Sequence, residues 1–335
     1  MLQANFRPWG SLGWVLDRLP VTKWSVLGCL GTEERCLGLW EVICGRGAQD
    51  VGLFVDVADP ESRFTPVARA IKERRAARLR AIQWPSLGVE PTNLLTRDSD
   101  IVRLATQFSQ SGKPNVILDI SCFPKRFFFP FVRLMLASAE IENLLVTYTV
   151  PAGYYTGALA EDHEPLGHLP LFGASIFPEP PIQVAFVGVG FTPLGLATLL
   201  EPYDHRVSVK LLFPFPPGPP AFQRNWRFIS ELKKSLPPAS ARDPIRIAAY
   251  DVPNAFSHIL NETTSGTRSS VFAPYGPKPI SLAMCIYATL TKAAVFYTQP
   301  RVYRPDYSAG IKQENGLPVI YAYCLKLSGR SVYSL

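Results

Sequence analysis

One pattern of apolar strands and helices occurs twice in this chain, and that repetition limits the possible folds more than any other feature. VILDISCFPK, residues 116–125, lies over SVFAPYGPK when Lys125 is set on Lys278. The segment Thr147–Tyr154 lies over Phe296–Tyr303, and Leu27-Gly28 with Thr32 lies over Val187-Gly188 with Thr192. One such match between apolar strands is cheap; three in the same order point to an internal duplication.

Within each copy, short apolar runs alternate with helical patterns. WSVLGCL (24–30), VGLFVDV (51–57), a poorly defined run near 89–95, NVILDI (115–120) and LLVTYTV (144–150) read as strands. Helices are expected over 32–44, 64–80, 98–110 and 125–139. After FPEPP (177–181) come strands at 182–190, 206–215, 245–250, 269–274 and 293–299, with helices at 192–200, 221–234, 255–261 and 279–290. LPVIYAYCLKL (317–327) reads as a terminal, antiparallel edge strand. Strands alternating with helices imply βαβ units and a mostly parallel sheet. The expected fold is α/β, a tandem duplication of a Rossmann-like unit forming an intramolecular pseudo-dimer. Its parts are an N-terminal arm (1–22), a first unit (23–160), a Pro-rich linker (161–181) and a second unit (182–335) that includes the C-terminal strand.

Composition narrows the class. Of 335 residues, 47% are hydrophobic and 18% charged, which excludes a disordered chain. The formal net charge of +7 suits an anionic ligand or a nucleic-acid contact without requiring either. The six cysteines form no Cys-x-x-Cys pair and read as free thiols, and no metal site or cofactor is expected. Arg7, Pro8 and Asp17 interrupt the N-terminal stretch, so neither a signal peptide nor a membrane association is expected, and the location expected is cytoplasmic.

In an open parallel sheet, ligands bind beyond the carboxyl ends of the strands. Lys125 and Lys278 each follow a strand and a proline and open a helix there, which suits phosphate or carboxylate. Thr149, Thr298, Tyr154 and Tyr303 follow the fifth strands, where tyrosine can stack on a base or pack at the sheet edge. Arg301, present only in the second copy, would add a phosphate contact. Gly188, Gly190 and, in the first copy, Gly28 allow close approach of backbone to a ligand or a helix. The spacing G-x-G-x-x-x-x-G, with no acid at the next strand end, argues against a dinucleotide site. Asp119, with Phe272 as its counterpart, and Ser121 are the candidates for catalysis; Asp119 equally suits a turn cap. Arg69, Lys72, Arg74, Arg75 and Arg78 stud one helix, either as a solvated face or as a nucleic-acid or partner surface.

The turns Ser121-Cys122-Phe123-Pro124-Lys125 and Pro274-Tyr275-Gly276-Pro277-Lys278 resemble the strand–turn–lysine–helix pattern of CRISPR-associated Rossmann-fold (CARF) sensors, without their Gly-Gly-Thr element. Two fused units are similar to the SAVED sensor domains of bacterial antiviral systems. The resemblance implies a non-catalytic sensor or adaptor that binds an anionic nucleotide, cyclic oligonucleotides included, between the two copies and signals to an effector protein. It also implies contact between units through the faces of Phe127–Leu136 and Leu282–Leu290. The competing readings are a nucleotide-processing transferase or hydrolase and a structural subunit of a nucleic-acid-associated assembly.

Overall fold

A computed structural model of the protein describes residues 6–82, 84–173, 181–196, 199, 207–215, 221–235 and 244–335. The first part of the chain forms β1 (Trp9–Ser11), α1 (Leu12–Leu16), β2 (Trp24–Cys29), a 3-10 turn (Glu34–Cys36), α2 (Gly38–Gly45), β3 (Gln49–Ala58), α3 (Thr65–Ala81), β4 (Ser86–Asn93), α4 (Asp98–Ser109), β5 (Asn115–Asp119), α5 (Lys125–Ala137) and β6 (Asn143–Thr149). Three short strands follow: β7 (Gly153–Tyr154), β8 (Ala160–His163) and β9 (Gly167–His168). The second part forms β10 (Val184–Gly188), β11 (Ser208–Phe215), α6 (Ala221–Ser235), β12 (Ile245–Ala248), α7 (Val252–Glu262), β13 (Ser270–Pro274), α8 (Lys278–Thr291) and β14 (Ala294–Tyr297). The chain closes with β15 (Pro300–Tyr303), β16 (Ser308–Ala309), β17 (Gln313–Glu314), β18 (Leu317–Pro318), β19 (Ile320–Leu327) and β20 (Arg330–Ser331). The helix expected over 192–200 and the linker stretch 174–180 lie partly and wholly outside the described residues.

The protein is α/β, with two mostly parallel sheets of one design. The first runs β4-β3-β2-β5-β6 in parallel, and the second runs β12-β11-β10-β13-β14 in parallel. Numbered along each copy, both orders read 3-2-1-4-5, so strand order reverses beside the first strand in each. The parallel strands that are buried on both faces, β2, β5, β6, β10 and β13, are the near-continuous apolar runs of the sequence.

Each sheet ends in an antiparallel strand. In the second sheet β9 lies beside β14; in the first, β19 lies beside β6, and β1 beside β19. The compact units are therefore residues 1–162 with 300–333, and residues 163–299 with 334–335. Three expectations are corrected. The C-terminal strand belongs to the first unit, not the second, and lies inside the sheet rather than at its edge. The N-terminal arm supplies β1 and α1 to that same unit. Residues 161–168 of the expected linker contribute to β8 and β9. The reason is burial: Ala322–Leu325 of β19 are fully buried, which an edge facing water would not satisfy.

The first core is built around Trp40, whose ring lies 3.9 Å from Phe54 and 4.7 Å from Trp84. Phe127, Phe128, Phe129 and Phe131 are buried on α5, as are Leu282 and Ile286 on α8. Ala322 pairs with Thr147 and packs in the same core as Trp24 and Trp40. Ala322→Asp is therefore expected to destabilise the first unit by about 3 kcal/mol or more. Urea unfolding followed by tryptophan fluorescence in a Trp226→Phe background, which leaves only tryptophans of the first unit, checks this. An unchanged midpoint would return the strand to the second unit.

Candidate functional site

At the carboxyl end of β2 the chain leaves through Leu30 and Gly31 into the turn that carries Glu33, Glu34 and Arg35. Arg35 is 2% exposed and fully engaged. Its Nε and Nη2 lie 2.9 and 2.8 Å from Glu33 Oε2, its Nη1 donates to the Thr149 carbonyl at 3.4 Å, and its guanidinium stands 5.3 Å from the Tyr148 ring. Glu33 also accepts from the Ser308 hydroxyl. The turn is thereby pinned to β6 on one side and to the segment after β15 on the other.

That segment runs back along the stretch following β6. β15 pairs with β8, and β16 pairs with β7 through Ser308–Tyr154 and Ala309–Gly153. Gly310 sits at φ +59°, where a side chain is strained, and its missing Cβ would stand 3.3 Å from Ala152. Asp59, just past β3, accepts from the Tyr303 N–H at 3.0 Å and ties the segment down. Burial pushes the Asp59 carboxyl above its ordinary range, offset in part by that N–H and by Lys72.

Between these walls and α3 lies a cavity of about 590 Å³. Thr32 and Glu34 line it from the turn, Ile71, Arg74, Arg75 and Arg78 from α3, and Pro305, Ser308, Ala309 and Gly310 from the returning segment. Three arginines face one carboxylate. Arg75 is 16% exposed; its Nε is buried with no hydrogen-bond partner among the described residues, and Nη2 lies 3.6 Å from Glu34 Oε1, beyond hydrogen-bond range. Arg74 is exposed and has no ion pair among the described residues. Arg78 is paired with Glu41 on α2.

The basic helix is thus not one uniform surface. Lys72 is an anchor, bound to Asp56 at 2.7 Å and to the Val57 carbonyl at 2.5 Å. Arg69 faces Glu61 at 3.9 Å in solvent. Arg74, Arg75 and Arg78 line the cavity.

The other residues singled out from sequence are placed as follows. Lys125 and Lys278 are the first residues of α5 and α8, each after a proline and each half-buried. The two candidates for catalysis bond to each other. Ser121 is fully buried, its hydroxyl donates to Asp119, and it accepts the Thr149 N–H at 2.8 Å, so the pair fastens a turn. Asp119 ends β5 as Pro274 ends β13; Phe272 is interior, stacked on Phe186. Thr149 and Thr298 are buried inside their units, Thr298 holding the Tyr275 phenol at 3.0 Å. Tyr154 and Tyr303 both belong to the first unit, where each stands 6.1 Å from Tyr307. Arg301 pairs with Asp162 at 3.4 Å.

The glycines serve packing. A Cβ on Gly28 would stand 3.0 Å from Trp40 Nε1; on Gly188, 3.0 Å from the Gly276 nitrogen; on Gly190, 2.0 Å from the Tyr275 carbonyl oxygen. Sequence reasoning missed Thr32, Glu34, Pro305, Ser308, Ala309 and Gly310 as lining. The first two follow the carboxyl end of the first parallel strand, a position that the rule for open sheets marks. The last four arrive by a long-range return with no local signature. Among the described residues no cluster suited to a metal occurs, and no helix is long and apolar enough to cross a membrane.

No protein-family model matches the chain, and no curated protein does. A crystal structure of an N-terminal ketoreductase from a macrolactin assembly line is similar at 9% identity and a TM-score of 0.22. The match covers 80% of this chain and 63% of that one, and at that score it says nothing of ligand or activity.

Gly190→Ala, which meets rigid backbone, is expected to cost about 3 kcal/mol or more, and Gly28→Ala, which meets a side chain, about 1 kcal/mol; urea midpoints rank them. A carboxyl whose pKa is raised by folding favours the folded state below its unfolded pKa, and that contribution is lost as pH rises through the folded value. Asp59→Asn keeps an oxygen for the Tyr303 N–H. Its stability should match wild type in acid and exceed it increasingly as pH rises above about 4. Urea titrations across pH check this, and a variant less stable at neutral pH would contradict it.

Proposed function

We propose that the protein is a non-catalytic sensor or adaptor that binds an anionic, nucleotide-type ligand, with the arginine-lined cavity of the first unit as its site. The observation that carries this reading is Arg75. A guanidinium mostly withdrawn from water, with a buried donor that has no acceptor among the described residues, is costly until an acceptor arrives. Phosphate oxygens match that planar fork better than any neutral group. Arg74 beside it and the hydroxyl of Thr32 supply further donors. The binding role is favoured over turnover because Ser121 and Asp119 are buried and lie outside the lining of the cavity.

Thermal unfolding with a panel of linear and cyclic nucleotides tests the reading. Saturation at a hundredfold excess over Kd adds about 2.7 kcal/mol of apparent stability. We expect a concentration-dependent shift for one nucleotide class that Arg75→Gln abolishes and that Lys125→Ala and Lys278→Ala leave in place. A shift lost in the lysine variants but kept in Arg75→Gln would move the site to the lysine turns. No shift for any nucleotide would overturn the reading.

A further inference from the structure

We propose that Glu34 is the resting counter-ion of the cavity and leaves it when a ligand enters, so that the site selects a phosphate-type dianion over a carboxylate. This rests on the anion-binding reading above. Two adjacent glutamates occupy the turn after β2, and they are held very differently. Glu33 is 13% exposed and makes contacts of 2.8 and 2.9 Å to Arg35 while accepting from Ser308. Glu34 is 55% exposed and reaches Arg75 only at 3.6 Å. Its other oxygen lies 4.0 Å from where a Gly310 Cβ would be. The carboxylate therefore stands between the helix wall and the returning segment, in the mouth of the cavity, and among the described residues no hydrogen bond fixes it there.

An incoming anion cannot share that position with Glu34, because like charges at such separations repel. Displacement is easy: the side chain is exposed, and the backbone on both sides stays pinned through Glu33 and Arg35. A monocarboxylate would then exchange one carboxylate for another and gain little. A phosphate group brings close to two negative charges and three strong acceptor oxygens, enough to engage Arg74 and Arg75 together.

The test is calorimetric titration of the full chain with pyrophosphate and with acetate at fixed ionic strength, for wild type, Glu34→Gln and Arg75→Gln, with the unliganded Tm of each as a folding control. Wild type should prefer pyrophosphate. Glu34→Gln should bind pyrophosphate about two- to five-fold more tightly, the range expected for removing an exposed ion pair's competition, and Arg75→Gln should weaken it. If Arg75→Gln loses pyrophosphate while Glu34→Gln binds it no better than wild type, anion binding stands and the counter-ion role fails. If Arg75→Gln binds like wild type, or if none of the three folded proteins binds, the cavity reading itself fails.

Discussion

β6 is buried along its whole length, and β19 lies against its edge in antiparallel register, brought there from the far end of the chain. Everything distinctive about the first unit hangs on that return. To reach β6, the chain must leave the second sheet at Gln299 and pass residues 300–319 along residues 150–163, where the Tyr155 N–H donates to the Tyr307 carbonyl and the Arg304 N–H to the Leu159 carbonyl. The passing segment is what closes the cavity opposite α3. The strand needed to bury an apolar sheet edge and the wall needed to form a site are one piece of chain.

The two copies share strand order but not their use of the space beyond the strands. In the second unit, Tyr275 follows β13 and folds back over β10: its carbonyl stands where a Gly190 side chain would be, and its phenol reaches the Leu194 carbonyl at 2.6 Å and Thr298. Burial pushes that phenol up to about 12, so it stays a neutral donor under any ordinary condition. In the first unit the matching turn carries Cys122, packed against Gly31, and the polar groups nearby are tied in the Asp119–Ser121–Thr149 and Glu33–Arg35 sets. The open space is displaced toward α3, where the arginines are. A duplicated fold thus places similar backbones at two sheet ends and leaves the side chains to decide where a ligand could go.

Much of this was legible in the sequence because it is local. Short, β-branched apolar runs such as NVILDI and IQVAFVGVG, bounded by turn residues, read as buried strands, and their alternation with helices carries the parallel order. Lys125 and Lys278 after their prolines open helices as the pattern says. The partner of a strand is a different matter. LPVIYAYCLKL announces a strand but not whose neighbour it is; that depends on which sheet edge is left uncovered, a property of the assembled fold. The same limit hid the lining residues Pro305, Ser308, Ala309 and Gly310, whose segment reads as an ordinary polar loop. The glycines show the converse case. Gly28 and Gly190 were visible as points of close approach, but whether a ligand, an indole or a carbonyl makes the approach is settled only by Trp40 and Tyr275, one of them far along the chain.

Charge patterning was the least transferable signal. A run of cations on one helix looks uniform in sequence, yet each stem leaves the axis in its own direction, so Lys72 turns inward to Asp56 while Arg69 stays in solvent. Neutralisation is decided pair by pair, by which carboxylates the tertiary fold brings opposite: Asp56 from β3, Glu41 from α2, Glu34 from the turn after β2. What distinguishes Arg75 is the quality of its partner rather than its charge. Arg35, more deeply buried, is matched atom for atom and reads as structure; Arg75, less buried, has a donor without an acceptor and a carboxylate held at arm's length. Incomplete satisfaction of a withdrawn cation, more than cationic density, is what marks a place where a protein can still gain by binding something.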